Sequence, residues 1–185
     1  GYLGLSMNPT LGQRLAEADL LVVLGARISD SATLGYTLLD PAAPGRTIVH
    51  VYPDPDELGR VYRPDIGIAV PAPAMVAALS RQNGRPGPWS GWTRALRAEH
   101  EAFVRPRETP GAVKLEAVIR ELSDALPEDA ILTNGAGNFA AFLHRYFCYK
   151  RHGTQLAPTS GSMGYGFPAA ISAALLHPDR VVVCL

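Results

Sequence analysis

Two glycine-rich turns hold the residues best suited to chemistry. The first reads Asn134-Gly135-Ala136-Gly137-Asn138-Phe139, the second Ser160-Gly161-Ser162-Met163-Gly164-Tyr165-Gly166-Phe167-Pro168. Each follows a run that predicts a short strand, Ala130 to Thr133 and Thr154 to Ala157. Each precedes a predicted helix, Asn138 to Phe147 and Phe167 to Leu176, the latter with Pro168 in its first turn, where a missing N–H costs nothing. Glycine lets backbone approach a ligand closely and adopt positive φ. Free N–H groups and the dipole at a helix start then make such a turn a cradle for phosphate. Between Asp129 and Asp179 there is no carboxylate, while Arg145, Lys150 and Arg151 fall inside the interval. A diphosphate site favours such surroundings, although an apolar, buried half-domain would share them.

Other chemistries fit less well. Gly135-x-Gly137-x-x-Ala140 matches a dinucleotide fingerprint, but the acidic residue required about 20 positions further on is missing around Gly153 to Pro158. Gly161-Ser162-Met163-Gly164 is not the G-x-S-x-G of a nucleophile elbow. None of the five histidines has a second ligand at metal spacing, and His144 and His152 read as surface or loop residues. Tyr146, Phe147 and Tyr149 read as core or interface aromatics. Cys148 and Cys184 form no Cys-x-x-Cys pair and read as two buried, reduced thiols of a cytosolic protein.

The elements around the turns predict an α/β fold. Leu20 to Leu24 is a wholly apolar run before Gly25, as in a strand buried on both faces of a parallel sheet. Thr47 to Val51 and Ile66 to Val70 predict two more strands, with helices over Leu11 to Ala18 and Ala74 to Leu79. From Arg81 to Gly111 proline and glycine punctuate the chain around one short charged helix, Trp89 to Val104, whose charges read as a solvated face. Val113 to Leu126 predicts a helix with Val118, Ile119, Leu122 and Leu126 at core spacing, and Val181 to Leu185 a final buried strand. The organisation expected is two open parallel-sheet, Rossmann-like units, both incomplete: residues 1–80, a Pro/Gly-rich linker at 81–112, and 113–185.

With 185 residues, 47% of them hydrophobic, the chain can build one domain core or two small ones. Its 17 basic and 17 acidic residues cancel, so no global field draws it to nucleic acid or an anionic membrane. No apolar stretch approaches the roughly 20 residues of a membrane span. No charged-then-apolar leader is present either, so a cytoplasmic location is expected. The opening at Gly1 without Met and the strand-like close at Leu185 read as cuts.

The second turn, Gly161 to Ile171, resembles the G-x-M-G-x-G-x-P-A-A-I signature of thiamine-diphosphate-dependent enzymes of the acetolactate synthase type. His177 to Leu185 is similar to the stretch that leads into that family's Gly-Asp-Gly motif. Ala18 to Arg27 resembles "ADLLLVLGAR" of its central domain, and Val49 to Gly59 its "H-x-D-x-D-P-x-E-x-G" segment, with Tyr52-Pro53 where the family has Asp-Ile. The resemblance makes residues 1–80 the C-terminal half of the central domain. It makes 113–185 the start of the pyrophosphate-binding domain, stopping before Gly-Asp-Gly.

The resemblance implies a 2-oxo acid decarboxylase or carboligase using thiamine diphosphate and Mg2+. The backbone at Gly137, Asn138 and Phe139 would donate to the diphosphate. The Gly161 carbonyl would accept from the aminopyrimidine, the Met163 N–H would reach a ring nitrogen, and Ser162 lies between them. The Met163 side chain would wedge the cofactor into a bent form in which its own amine acts as base, the cofactor carrying the chemistry and the protein its orientation. The resemblance places no catalytic residue in this chain, puts the general acid/base Glu on an N-terminal domain, and puts the metal ligands after Leu185. The isolated chain is therefore expected to be inactive. FAD in the central domain stays open, because no flavin signature is evident. A homodimer or homotetramer is implied, since the family builds each site between subunits. The competing reading, from the folding pattern alone, is a non-catalytic Rossmann-like nucleotide-binding or oligomerisation module.

Overall fold

Leu20–Leu24 forms strand β1 with the bounds its apolar run predicts. It is the edge of a parallel sheet ordered β1-β2-β3, in which β2 is Thr47–Tyr52 and β3 is Ile66–Ala69. The register sets Leu20 beside Thr47 and Val49 beside Ile66. The computed structural model describes residues 3–4, 7–84 and 87–185, so Arg85 and Pro86 of the expected linker lie outside the described residues. The chain divides into two units, Gly1–His100 and Glu101–Leu185, each with its own three-stranded parallel sheet.

In the first unit, helix α1 (Pro9–Glu17) starts where Asn8 accepts from the Thr10 N–H at 3.2 Å and Pro9 takes a position whose N–H would have had no partner. Helix α2 (Ala72–Ser80) begins two residues earlier than its apolar spacing predicts, because Pro73 is tolerated in the first turn. Helix α3 (Ser90–Phe103) spans the boundary between the units. Its charges are not all solvated: Glu99 takes the Arg14 guanidinium at 2.6 Å and 3.1 Å. The core gathers Leu39, Ile48 and Tyr62, with Leu21 and Ile28 against them.

Expectations of burial need correction, that of the closing strand among them, since Val181 is 43% exposed and Cys184 is exposed. Strand β1 is not buried on both faces: Leu20, Val22 and Leu24 are 49%, 46% and 37% exposed. Burial on both faces needs a covering layer on each, and the apolar interior instead forms around the central strand, at Ile48 and Val51. Both cysteines are exposed rather than buried. Cys148 follows a helix end, and Cys184 closes a strand at the edge of the second sheet.

The second unit holds helix α4 (Leu115–Ala125), β4 (Ile131–Thr133), α5 (Asn138–Tyr146), β5 (Gln155–Leu156), α6 (Gly166–Leu176) and β6 (Val182–Cys184). Its sheet runs β5-β4-β6, all parallel, with Thr133 beside both Leu156 and Cys184. The three residues of β4 are buried, as a central strand requires. Ile119, Ala130, Leu132, Leu143 and Tyr146 make the core, with Leu122 and Leu126 of the predicted stripe packed on it, while Val118 faces outward. The α/β class with two open parallel sheets is thus as the alternation of runs predicts. Among the described residues no helix is long and apolar enough to cross a membrane.

Candidate functional site

In a parallel sheet, the C-terminal ends of the strands and the starts of the helices that follow share one edge, where ligands of such folds bind. Both glycine turns therefore meet at the same edge of the second unit. The β4–α5 turn leaves the sheet at Asn134, whose N–H donates to Leu156 at 3.2 Å, while the Gly135 N–H donates to Leu185 at 3.1 Å. The end of β4 is thereby pinned on both sides. Gly137 is the residue before α5, with no side-chain cap, so the first N–H groups of that helix have no intrahelical partner. Gly137, Asn138 and Phe139 are all exposed. The Phe139 ring lies across Gly137, where a β-carbon would come within 2.5 Å of it.

The second turn leaves β5 through Ala157–Tyr165 and enters α6, again without a side-chain cap. Gly161 and Gly164 take left-handed φ of 69° and 80°, a conformation that other residues adopt at a cost. Between them Met163 stands 86% exposed. Ser162 points its hydroxyl to Ser160 at 2.9 Å. All six residues singled out in the sequence are thus solvent-facing at one sheet edge.

The two turns touch through their backbones. A β-carbon on Gly166 would lie 2.7 Å from both the Asn134 carbonyl carbon and the Gly135 nitrogen, so only glycine fits. The Thr133 hydroxyl donates to the Gly166 carbonyl at 2.9 Å, and Thr133 is fully buried. Asn134 is also buried, with Nδ2 donating to the Gly135 carbonyl at 2.9 Å and Oδ1 without a partner among the described residues. Sequence reasoning missed Thr133 and Asn134 as contributors. The available signal was a polar pair closing an apolar strand.

The electrostatics come from a different source than the sequence suggests. Arg145 lies in the last turn of α5, about 12 Å of helix away from Gly137. Its Nε donates to the Phe103 carbonyl at 2.9 Å, and its guanidinium stacks 3.8 Å from the Phe103 ring centre. Arg151 pairs with Asp129 at 3.9 Å, before the start of β4. These cations do not line the turns. What remains is the absence of carboxylates from the turns and the positive ends of two helices, which favour an anion there. Among the described residues no cluster of His, Cys, Asp or Glu is placed to hold a metal ion.

The histidine and aromatic readings resolve individually. His144 is half-buried on α5, with its Nδ1 3.1 Å from the Gln155 amide nitrogen, and burial lowers its pKa from the ordinary value. His152 is exposed in a loop. Tyr146 is in the core, with Phe147 and Tyr149 packed against it and their rings 4.8 Å apart.

Comparison with known proteins decides the family. Residues 1–79 match the thiamine pyrophosphate enzyme central domain, and residues 135–185 match the C-terminal thiamine pyrophosphate binding domain of the same enzymes. The chain belongs to the thiamine pyrophosphate enzyme family. Among its relatives, it is 27% identical over 187 residues to the acetolactate synthase isozyme 2 large subunit of Escherichia coli (strain K12), covering 100% of this chain and 33% of that protein. To the isozyme 1 large subunit of the same organism it is 31% identical over 187 residues, covering 100% and 32%. To the acetolactate synthase large subunit of Porphyra purpurea it is 28% identical over 193 residues, again covering 100% and 32%. The chain thus spans about a third of the length of the curated relatives it matches. In this thiamine pyrophosphate enzyme chain the matched C-terminal domain contains both helix starts described above and all six candidate residues.

Proposed function

We propose that the paired turns of the second unit bind thiamine diphosphate, and that the enzyme to which this chain belongs decarboxylates or joins 2-oxo acids. Met163 carries the reading. A large apolar side chain held in solvent between two left-handed glycines gains nothing from the core, and its placement suits a surface that a ligand completes. The residues present fit the cofactor's chemistry: uncapped helix starts for an anion, no carboxylate at the turns, and backbone close enough that Gly166 tolerates no side chain.

The division of labour follows. Backbone N–H groups at Gly137, Asn138 and Phe139 hold the diphosphate. The Gly161 carbonyl would accept from the aminopyrimidine and the Met163 N–H would donate to its ring, with Ser162, held to Ser160 by its hydroxyl, between them. The exposed Met163 side chain would pack against the coenzyme. Bound there, thiamine diphosphate supplies a carbon nucleophile and the electron sink that decarboxylation of a 2-oxo acid needs. Magnesium accompanies the diphosphate. The whole enzyme is a cytoplasmic homodimer or homotetramer, in which a second subunit completes the exposed edge.

The test is calorimetric titration of the full-length enzyme with thiamine diphosphate and magnesium, alongside Met163→Ala. Binding that weakens about tenfold or more in the variant, about 1.4 kcal/mol, supports the reading. Equal binding by both proteins, or tighter binding of a dinucleotide than of thiamine diphosphate, would overturn it.

A further inference from the structure

We infer that Thr133 is a positioning residue: its hydroxyl, donating to the Gly166 carbonyl, sets the separation between the two turns that hold the cofactor. The inference rests on the reading above. It begins from a mismatch between residue type and place. Thr133 ends the central strand and is fully buried, where valine would have the same shape and an equal preference for a strand. A buried hydroxyl is costly unless it is hydrogen-bonded, so the oxygen here serves something that packing does not. Its partner at 2.9 Å lies 33 residues away, in the first residue of α6.

The two sides of the junction are held differently. Beyond Thr133, the Asn134 and Gly135 N–H groups are fixed to Leu156 and Leu185. Tyr165, which precedes α6, contributes no side-chain cap, and the loop before it is exposed. Sterics stop α6 from moving closer, because Gly166 already rests on the Asn134–Gly135 peptide. Nothing steric stops it from moving away; the packing of α6 on β4 and β6 holds the body of the helix, and the Thr133 bond opposes the motion at its first residue. Met163 lies three residues before Gly166 and Gly137 three residues after Asn134, so both ligand-facing positions are within about 10 Å of chain from the joint. A shift there reaches the diphosphate cradle and the methionine support together.

The experiment compares Thr133→Val, which keeps shape and removes the donor, with Thr133→Ser, which keeps the donor. Two readouts are needed: calorimetric affinity for thiamine diphosphate with magnesium, and hydrogen exchange of the backbone amides from Ser160 to Gly166 without ligand. In Thr133→Val we expect affinity about tenfold weaker and loop exchange about tenfold faster, one hydrogen bond's worth, with core amides at Ile119 and Leu143 unchanged. In Thr133→Ser both readouts should stay within about twofold of the parent. A valine variant matching the parent in both readouts would overturn the inference, as would a serine variant as impaired as valine, since packing alone would then be responsible. If no protein binds thiamine diphosphate but the exchange pattern holds, the cofactor reading fails and the coupling of the turns by Thr133 stands. Should valine prevent folding, Thr133→Cys, a weaker donor of similar size, replaces it: intermediate loop exchange supports the inference, and exchange equal to the parent opposes it.

Discussion

Gly166 rests so closely on Asn134 that an added β-carbon would lie 2.7 Å from the Asn134 carbonyl carbon. Backbone cannot rotate aside as a long side chain can, so Gly166→Ala must part the two turns. We expect a loss of about 2–3 kcal/mol, in the range of overpacked cores, read as a lower denaturant midpoint. Gly153→Ala is the comparison. Its β-carbon would meet nothing within 4 Å, and only its left-handed φ of 74° opposes the change. A smaller loss there separates steric conflict from backbone strain.

Leu34 and Tyr36 take left-handed φ of 53° and 62° on either side of Gly35. Such a conformation costs a side-chain-bearing residue about 1–2 kcal/mol. Leu34 is exposed, so Leu34→Gly should stabilise the chain by about 0.5–1 kcal/mol after allowing for the greater freedom of glycine when unfolded. Tyr36→Gly should gain less, because the Tyr36 ring also packs 6.2 Å from that of Tyr62. Thermal melts of the two variants test the order.

Two buried tyrosine hydroxyls make opposite predictions. The Tyr62 hydroxyl donates to the Leu39 carbonyl at 2.9 Å, whereas that of Tyr149 is buried with no partner among the described residues. Burial pushes the Tyr149 phenol well above its ordinary pKa. Tyr62→Phe should cost about 1 kcal/mol and Tyr149→Phe should be neutral or stabilising. Urea denaturation decides this. A clear loss in Tyr149→Phe would mean that an ordered water satisfies the hydroxyl.

His144 gives the chain an acid-side sensitivity. Burial lowers its folded pKa below the ordinary 6.5, and Nδ1 accepts from Gln155 only when unprotonated. Above pH 6.5 both folded and unfolded chains carry neutral imidazole, and nothing is lost. Below it the unfolded chain binds the proton first, so stability falls until the folded pKa is passed. His144→Gln should flatten the loss over that window. Ring-proton NMR titration of the parent should place the midpoint below 6.5.

Much of this fold is legible in the sequence because its signals are local. The Leu20–Leu24 run ends at Gly25, and Pro168 marks the first turn of α6. Two short 3-10 turns, Ser31–Thr33 and Pro55–Glu57, went unread, although Asp30 and Asp54 cap them from just ahead, at 2.7 Å and 3.0 Å. Sidedness was less legible. An unbroken apolar strand reads as doubly buried, yet exposure depends on which layers cover it, and β1 lies at an edge. The six candidate residues were visible because glycine types their turns. Thr133 was not, because its partner is 33 residues away and parallel pairing alone brings them together.

The outward row of Leu20, Val22 and Leu24 has a practical corollary. Among the described residues β1 pairs on one side only, and a strand with an open side and an apolar face is the combination that templates stacking of like chains. Val22→Lys would set a charge in the middle of that row, against any such stacking, while leaving the buried Ile48 and Val51 of the neighbouring strand untouched.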